Sequence, residues 1–83
     1  MPRVTDFDTR MGAVIRRLRR AKEMPQAKLG EHLGGITFQQ VQKYETGKNR
    51  LSAAHVPALC EALDVKPTEL FQMVDEEFDQ VAT

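Results

Sequence analysis

Two adjacent glycines, Gly34 and Gly35, separate a short amphipathic stretch from a second one that opens on Thr37-Phe38-Gln39-Gln40. Glycine closes helices, and a Thr three residues ahead of a Gln starts one: the Thr hydroxyl accepts from the amide three residues on, and the Gln side chain reaches back to the Thr amide. A helix, a tight turn and a second helix are therefore expected over residues 26 to 45. Before the glycines, Pro25 precedes Gln26, Leu29 and Leu33, enough for about two turns. After them, Val41 and Tyr44 lie three apart and face inward, which turns Gln39, Gln40, Gln42 and Lys43 outward until Gly47 ends the helix.

The flanks read as helices too. From a cap at Asp8 or Thr9, the apolar positions Met11, Val14, Ile15 and Leu18 keep helical spacing as far as Lys22, with Arg16, Arg17 and Arg20 on the other face. A polar loop, Lys48-Asn49-Arg50, leads to Leu51 and the cap Ser52, and Val56, Leu59 and Leu63 mark a fourth helix. Pro57 has no amide for the Ala53 carbonyl, so that helix either starts late or kinks. Pro67 or Thr68 opens a fifth, with Leu70, Phe71, Val74 and Phe78 along one side. No stretch alternates with the period of a strand. The expected fold is all-α, five helices with short connections. The expected division is a flexible arm over 1–8, a helical domain over 9–73, and the end of helix five with an acidic tail over 74–83.

With 83 residues there is room for one modest core, near the size at which a domain gains from a partner. The single cysteine, Cys60, cannot form an internal disulfide and sits in the apolar run Leu59-Cys60-Glu61-Ala62-Leu63, as a small core hydrophobe would. With no leader-like or membrane-length apolar run, a cytoplasmic, nucleoid-associated location is expected. The formal net charge of zero hides a gradient. Residues 1–50 carry eleven Lys and Arg against five Asp and Glu, a formal +6, while residues 51–83 carry Lys66 against seven acids, a formal −6. Such a chain can turn a basic half toward a polyanion and an acidic half away from it, although ordinary solvated charge gives the same count.

A capped helix studded with outward amides has the chemistry that reading a DNA major groove needs. The groove admits one helix; Gln offers a donor and an acceptor together to adenine, and Lys donates to guanine O6 and N7. The positive N-terminus of such a helix, with basic residues nearby, favours phosphates. A solvated glutamine face is the plainer reading of the same residues.

An ordered series of residues adds to that reading: Gly12 with Ile15, Leu18 and Arg19; Gln26-Ala27-Lys28-Leu29-Gly30; Ile36 through Glu45; Thr46-Gly47-Lys48; and Leu59, Leu63, Asp64 and Val65. In this series residues 12–71 resemble the phage-repressor and Cro type of helix-turn-helix, also called the XRE family. The resemblance implies a lambda-repressor-like DNA-binding domain. It implies base reading by Gln39 and Lys43, with Gln42, Phe38 and Thr37 at bases or flanking phosphates. Gln26 would contact a phosphate and brace the head of the recognition helix, and Gln40, Lys48, Asn49 and Arg50 would follow the DNA backbone. Phe38 would pack on a thymine methyl or fold into the domain's own edge. Arg19 and Glu45 would form a structural ion pair. Three departures stand out: the turn is one residue longer than usual, Gly30 replaces the usual alanine, and Pro25 replaces the usual Ser or Thr cap.

The family pattern also implies a homodimer on an inverted-repeat operator, acting as a transcriptional repressor. Phe71, Val74 and Phe78, continued by Val81, supply a seam on helix five, unless Leu70 and Phe71 only finish the monomer core. The alternative function is an antitoxin-type module that covers a protein partner with its C-terminal part and regulates its own promoter. An RNA-binding module fits less well, because stacking aromatics are few. His32 and His55 belong to no metal-ligand cluster, and no nucleophile, base and orienting acid stand at recognisable spacing. Neither catalysis nor a metal or other cofactor is expected, and no membrane partner.

Overall fold

The computed structural model describes the backbone of residues 6–82 and the side chains of residues 6–77. Among the described residues there are five α-helices, one 3-10 turn and no strand. They are α1 (Asp6–Ala21), α2 (Gln26–His32), α3 (Phe38–Glu45), the 3-10 turn (Ala53–His55), α4 (Val56–Leu63) and α5 (Pro67–Ala82). This is the five-helix, all-α architecture expected. One apolar core joins all five: Val14 and Ile15 from α1, Leu29 from α2, Val41 from α3, Leu59 and Leu63 from α4, and Leu70 from α5, each at most 2% exposed. Cys60 belongs to the same core, and burial pushes its thiol pKa up, which keeps it a neutral core group.

The joint between α2 and α3 is built from backbone bonds. Gly35 donates to the Gly30 carbonyl (3.0 Å) and Gly34 to that of Glu31 (3.2 Å), the pair of bonds that closes a helix when the residue after its cap takes a positive φ. Gly34 and Gly35 lie at φ +94° and +89°, a region that side chains rarely enter, so the glycine pair is required by the path of the chain. The Ile36 amide then folds back on the same Gly30 carbonyl (3.1 Å). This return explains Gly30 as well: a Cβ there would run into the carbonyl oxygen of Ile36. The path of the turn and the absence of a methyl at Gly30 thus go together. Thr37 caps α3, its hydroxyl oxygen accepting from the Gln40 amide at 3.2 Å.

Pro57 meets the late start. Ser52 caps the 3-10 turn by accepting from the Ala54 amide (3.2 Å), and α4 begins only at Val56. Pro57 then lies in the first turn, where no amide is needed. The helical part of the chain begins earlier than expected. Asp8 is no cap: α1 starts at Asp6 and Asp8 is buried, while Phe7 stacks on Phe71 with ring centroids 6.2 Å apart. Residues 6–8 are therefore packed helix and not flexible arm, and residues 1–5 of that arm lie outside the described residues. At the other end α5 runs on through residue 82, with Val74 in the core and Glu77 paired to Arg17 at 2.6 Å. Residues 74–77, part of the segment expected to hold the end of helix five, are thus docked on the domain.

Candidate nucleic-acid interface

The outer face of α3 gathers the candidate base readers. Val41 is buried, and Phe38, Gln39, Gln42 and Lys43 are exposed. Gln39, Gln42, Lys43, Thr46 and Lys48 line one open depression of about 260 Å³. Phe38, in the first turn, is 49% exposed, so about half of its surface meets solvent. Thr37 is exposed but uses its hydroxyl as the cap, and Gln40 is half-buried.

The chain leaving α3 is held as firmly as the chain entering it. The Lys43 carbonyl accepts from the amides of Lys48 (2.9 Å) and Asn49 (3.2 Å), Gly47 donates to the Tyr44 carbonyl (3.2 Å), and the Thr46 hydroxyl donates to the Gln42 carbonyl (3.0 Å). Lys48 and Asn49, both exposed, therefore have backbones fixed to the last turn of α3. Arg50 follows, with Nε 3.4 Å from Asp8 Oδ2. Sequence reasoning missed Asp8, having read it as a cap. The signal available was Phe7, which extends the stripe of Met11, Ile15 and Leu18 one turn upstream and so argues for an earlier start.

Behind α3 a buried ion pair sets its angle. Arg19 Nε lies 2.5 Å from Glu45 Oε2 and Nη2 lies 3.0 Å from Oε1, while Nη1 donates to the Met24 carbonyl at 2.7 Å. Both side chains are buried, so each charge is compensated by the other. Gln26 Nε2 also donates to Glu45 Oε1, at 3.0 Å. Gln26 thereby braces the tail of α3, where Glu45 sits, and not its head as expected. One carboxylate ties α1, α2 and α3 together.

Beside the end of α3, Phe7 and Phe71 are 42% and 43% exposed and wall a mainly apolar groove of about 120 Å³ with Met11, Leu51 and Val56, which Asp8, Tyr44 and Asn49 also line. Of the expected seam residues, Phe71 faces outward. Val74 is 2% exposed inside the monomer, and the side chain of Phe78 lies outside the described residues. Among the described residues no three of His, Cys, Asp and Glu could hold a metal ion, and no helix is long and apolar enough to cross a membrane.

Two short helices at a tight turn, the second exposing a polar face and both anchored to a five-helix core, define a helix-turn-helix domain. The chain belongs to the Helix-turn-helix family, whose model matches residues 15–70. It is 42% identical over 74 residues to an uncharacterised HTH-type transcriptional regulator, y4aM, of Sinorhizobium fredii, covering 89% of this chain and 51% of that one. A second from the same organism, y4wC, is 45% identical over 65 residues, covering 78% of this chain and 45% of that one. The chain thus spans about half the length of the curated relatives it matches. Neither name is that of an enzyme. Among solved structures, the restriction-modification controller protein C.AhdI from Aeromonas hydrophila is 34% identical with a TM-score of 0.67, covering 75% of this chain and 92% of that one. A mutant of the controller protein C.Esp1396I superposes with a TM-score of 0.77 at 19% identity over 88% of this chain and 96% of that one, a likeness of fold.

Proposed function

We propose that the chain is a sequence-specific, double-stranded DNA-binding transcriptional regulator that lays α3 in the major groove. The observation that carries this reading is the single exposed face on which Gln39, Gln42, Lys43, Thr46 and Lys48 converge. Gln39 and Lys43 read base edges, Gln42 and Phe38 contact neighbouring bases, and Thr37 sits over the phosphates at the head of the helix. Lys48, Asn49 and Arg50 meet the backbone beyond its end, with Gln26 and Gln40 alongside. The likeness to regulators by name, and to a controller protein at 34% identity, supports the same role.

The chain acts as a homodimer on an inverted-repeat operator, with recognition helices one DNA turn, about 34–36 Å, apart. The exposed Phe7–Phe71 pair supports a seam centred on Phe71, because large apolar side chains left together in water favour a partner surface. Where the operator overlaps a promoter the dimer represses, working at the nucleoid in the cytoplasm. Selection of bound sequences from random duplexes tests the reading: inverted half-sites one turn apart support it. Recovery of unrelated or unpaired sequences rejects it.

A further inference from the structure

The Asp8 carboxylate is a charge in an apolar setting. Its side chain is 5% exposed, and it lines the groove walled mainly by Phe7, Met11, Leu51, Val56 and Phe71, with Tyr44 and Asn49 the other polar residues there. A buried carboxylate is tolerated only when paired. A partner reaches it from 42 residues away: Nε of Arg50, at 3.4 Å. Arg50 immediately follows Asn49, whose amide is bound to the last turn of α3, and its own side chain is 54% exposed. A half-exposed arginine on a loop ordinarily samples many rotamers, and ordering it on binding costs affinity.

We infer that Asp8 is a positioning residue for DNA binding: from the interior of the domain it orients the Arg50 guanidinium toward the DNA backbone without touching DNA itself. This rests on the proposed role of Arg50 at the phosphates. The inference makes a prediction opposite to simple electrostatics. Near a polyanion, removing any carboxylate strengthens binding by Coulomb attraction alone. If Asp8 instead helps to order Arg50, removing it weakens binding, since more of that ordering then falls to the DNA.

The test measures dissociation constants for one selected duplex at several salt concentrations, with thermal melts, for wild type, Asp8→Asn, Asp8→Glu, Arg50→Ala and the Asp8→Asn/Arg50→Ala pair. Arg50→Ala is expected to weaken binding and to lower the salt slope by about 1. Asp8→Asn should weaken it about 3- to 10-fold, the cost of ordering one long side chain. It should add no loss in the Arg50→Ala background, and Asp8→Glu should recover part of the affinity. Tighter binding by Asp8→Asn, or an equal loss in both backgrounds, overturns the inference while leaving the DNA-binding reading standing. Wild-type affinity of Arg50→Ala overturns the Arg50 assignment itself and the inference with it. Should Asp8→Asn not fold, Arg50→Lys replaces it: lysine keeps the charge but lacks the Nε donor, so weaker binding at an unchanged salt slope supports the inference and wild-type binding overturns it.

Discussion

Arg19 occupies both oxygens of the Glu45 carboxylate, at 2.5 and 3.0 Å, so the last residue of α3 is clamped to the first helix of the domain. Gln26 adds a third helix to the clamp. None of these groups lies on the exposed face of α3, which makes the clamp a determinant of angle and stability.

Substituting Arg19 by Ala leaves Glu45 buried, 5% exposed, without its compensating charge. The expected loss is roughly 3–5 kcal/mol, a large part of the stability of a small domain. Urea unfolding reads it directly, and an unchanged midpoint would refute the clamp as a stabilising element. Gln26→Ala removes one partly exposed bond and should cost about 1 kcal/mol.

Gly30→Ala is ordinarily a favourable change in a helix. Here the added methyl meets the backbone carbonyl of Ile36, which cannot swing aside as a side chain can, so a loss of about 1–3 kcal/mol is expected. Equilibrium denaturation of Gly30→Ala beside an alanine variant at an exposed position of α2 checks it, and stabilisation by Gly30→Ala would contradict the geometry.

How much of this was legible in advance divides along physical lines. The capping Thr37, the glycine stop and the inward Val41 are local signals, read from residues at most four apart. Asp8 was misread as a cap because the stripe that Phe7 opens was begun one turn late, and because one partner, Arg50, is 42 positions away. Val74 was placed on an outer seam because periodicity tells which residues share a side of a helix, not what that side packs against. Gln26 was aimed at the wrong end of α3 for the same reason: its partner Glu45 is fixed by the crossing of three helices.

Gln39 and Lys43 should govern which sequences are bound. Alanine at either is expected to cost about 1–3 kcal/mol against the preferred site and to relax preference at one or two base pairs. Lys48→Ala should weaken all duplexes alike and lower the salt slope by about 1. Competition binding with single-base variants of the selected site separates the two behaviours. Specificity untouched by both Gln39→Ala and Lys43→Ala would remove their assigned roles.

Phe71 and Val74, three residues apart on α5, should respond in opposite ways. Phe71→Ser alters an exposed ring and is expected to weaken self-association while leaving most of the monomer's melting temperature. Val74→Ala opens a cavity in the core and should cost about 2 kcal/mol without changing assembly at fixed folded concentration. Sedimentation paired with thermal melts distinguishes them; a monomeric wild type would dismiss the seam.

Cys60 should behave as a sealed thiol. Burial raises its pKa, so the reactive thiolate is scarce at neutral pH and shielded when it forms. Alkylation of the folded protein should be slow and should accelerate in step with unfolding by urea, as followed by mass spectrometry.

The dependence of Gly30 on the path of Gly34, Gly35 and Ile36 bears on how this domain can be re-engineered. A third helix grafted together with a shorter turn would arrive with a joint that Gly30 was not shaped for, and a methyl placed at Gly30 would collide if the present turn were kept. Residues 30 to 36 thus travel as one cassette, and residues of α3 can be exchanged cleanly only at positions from 38 onward.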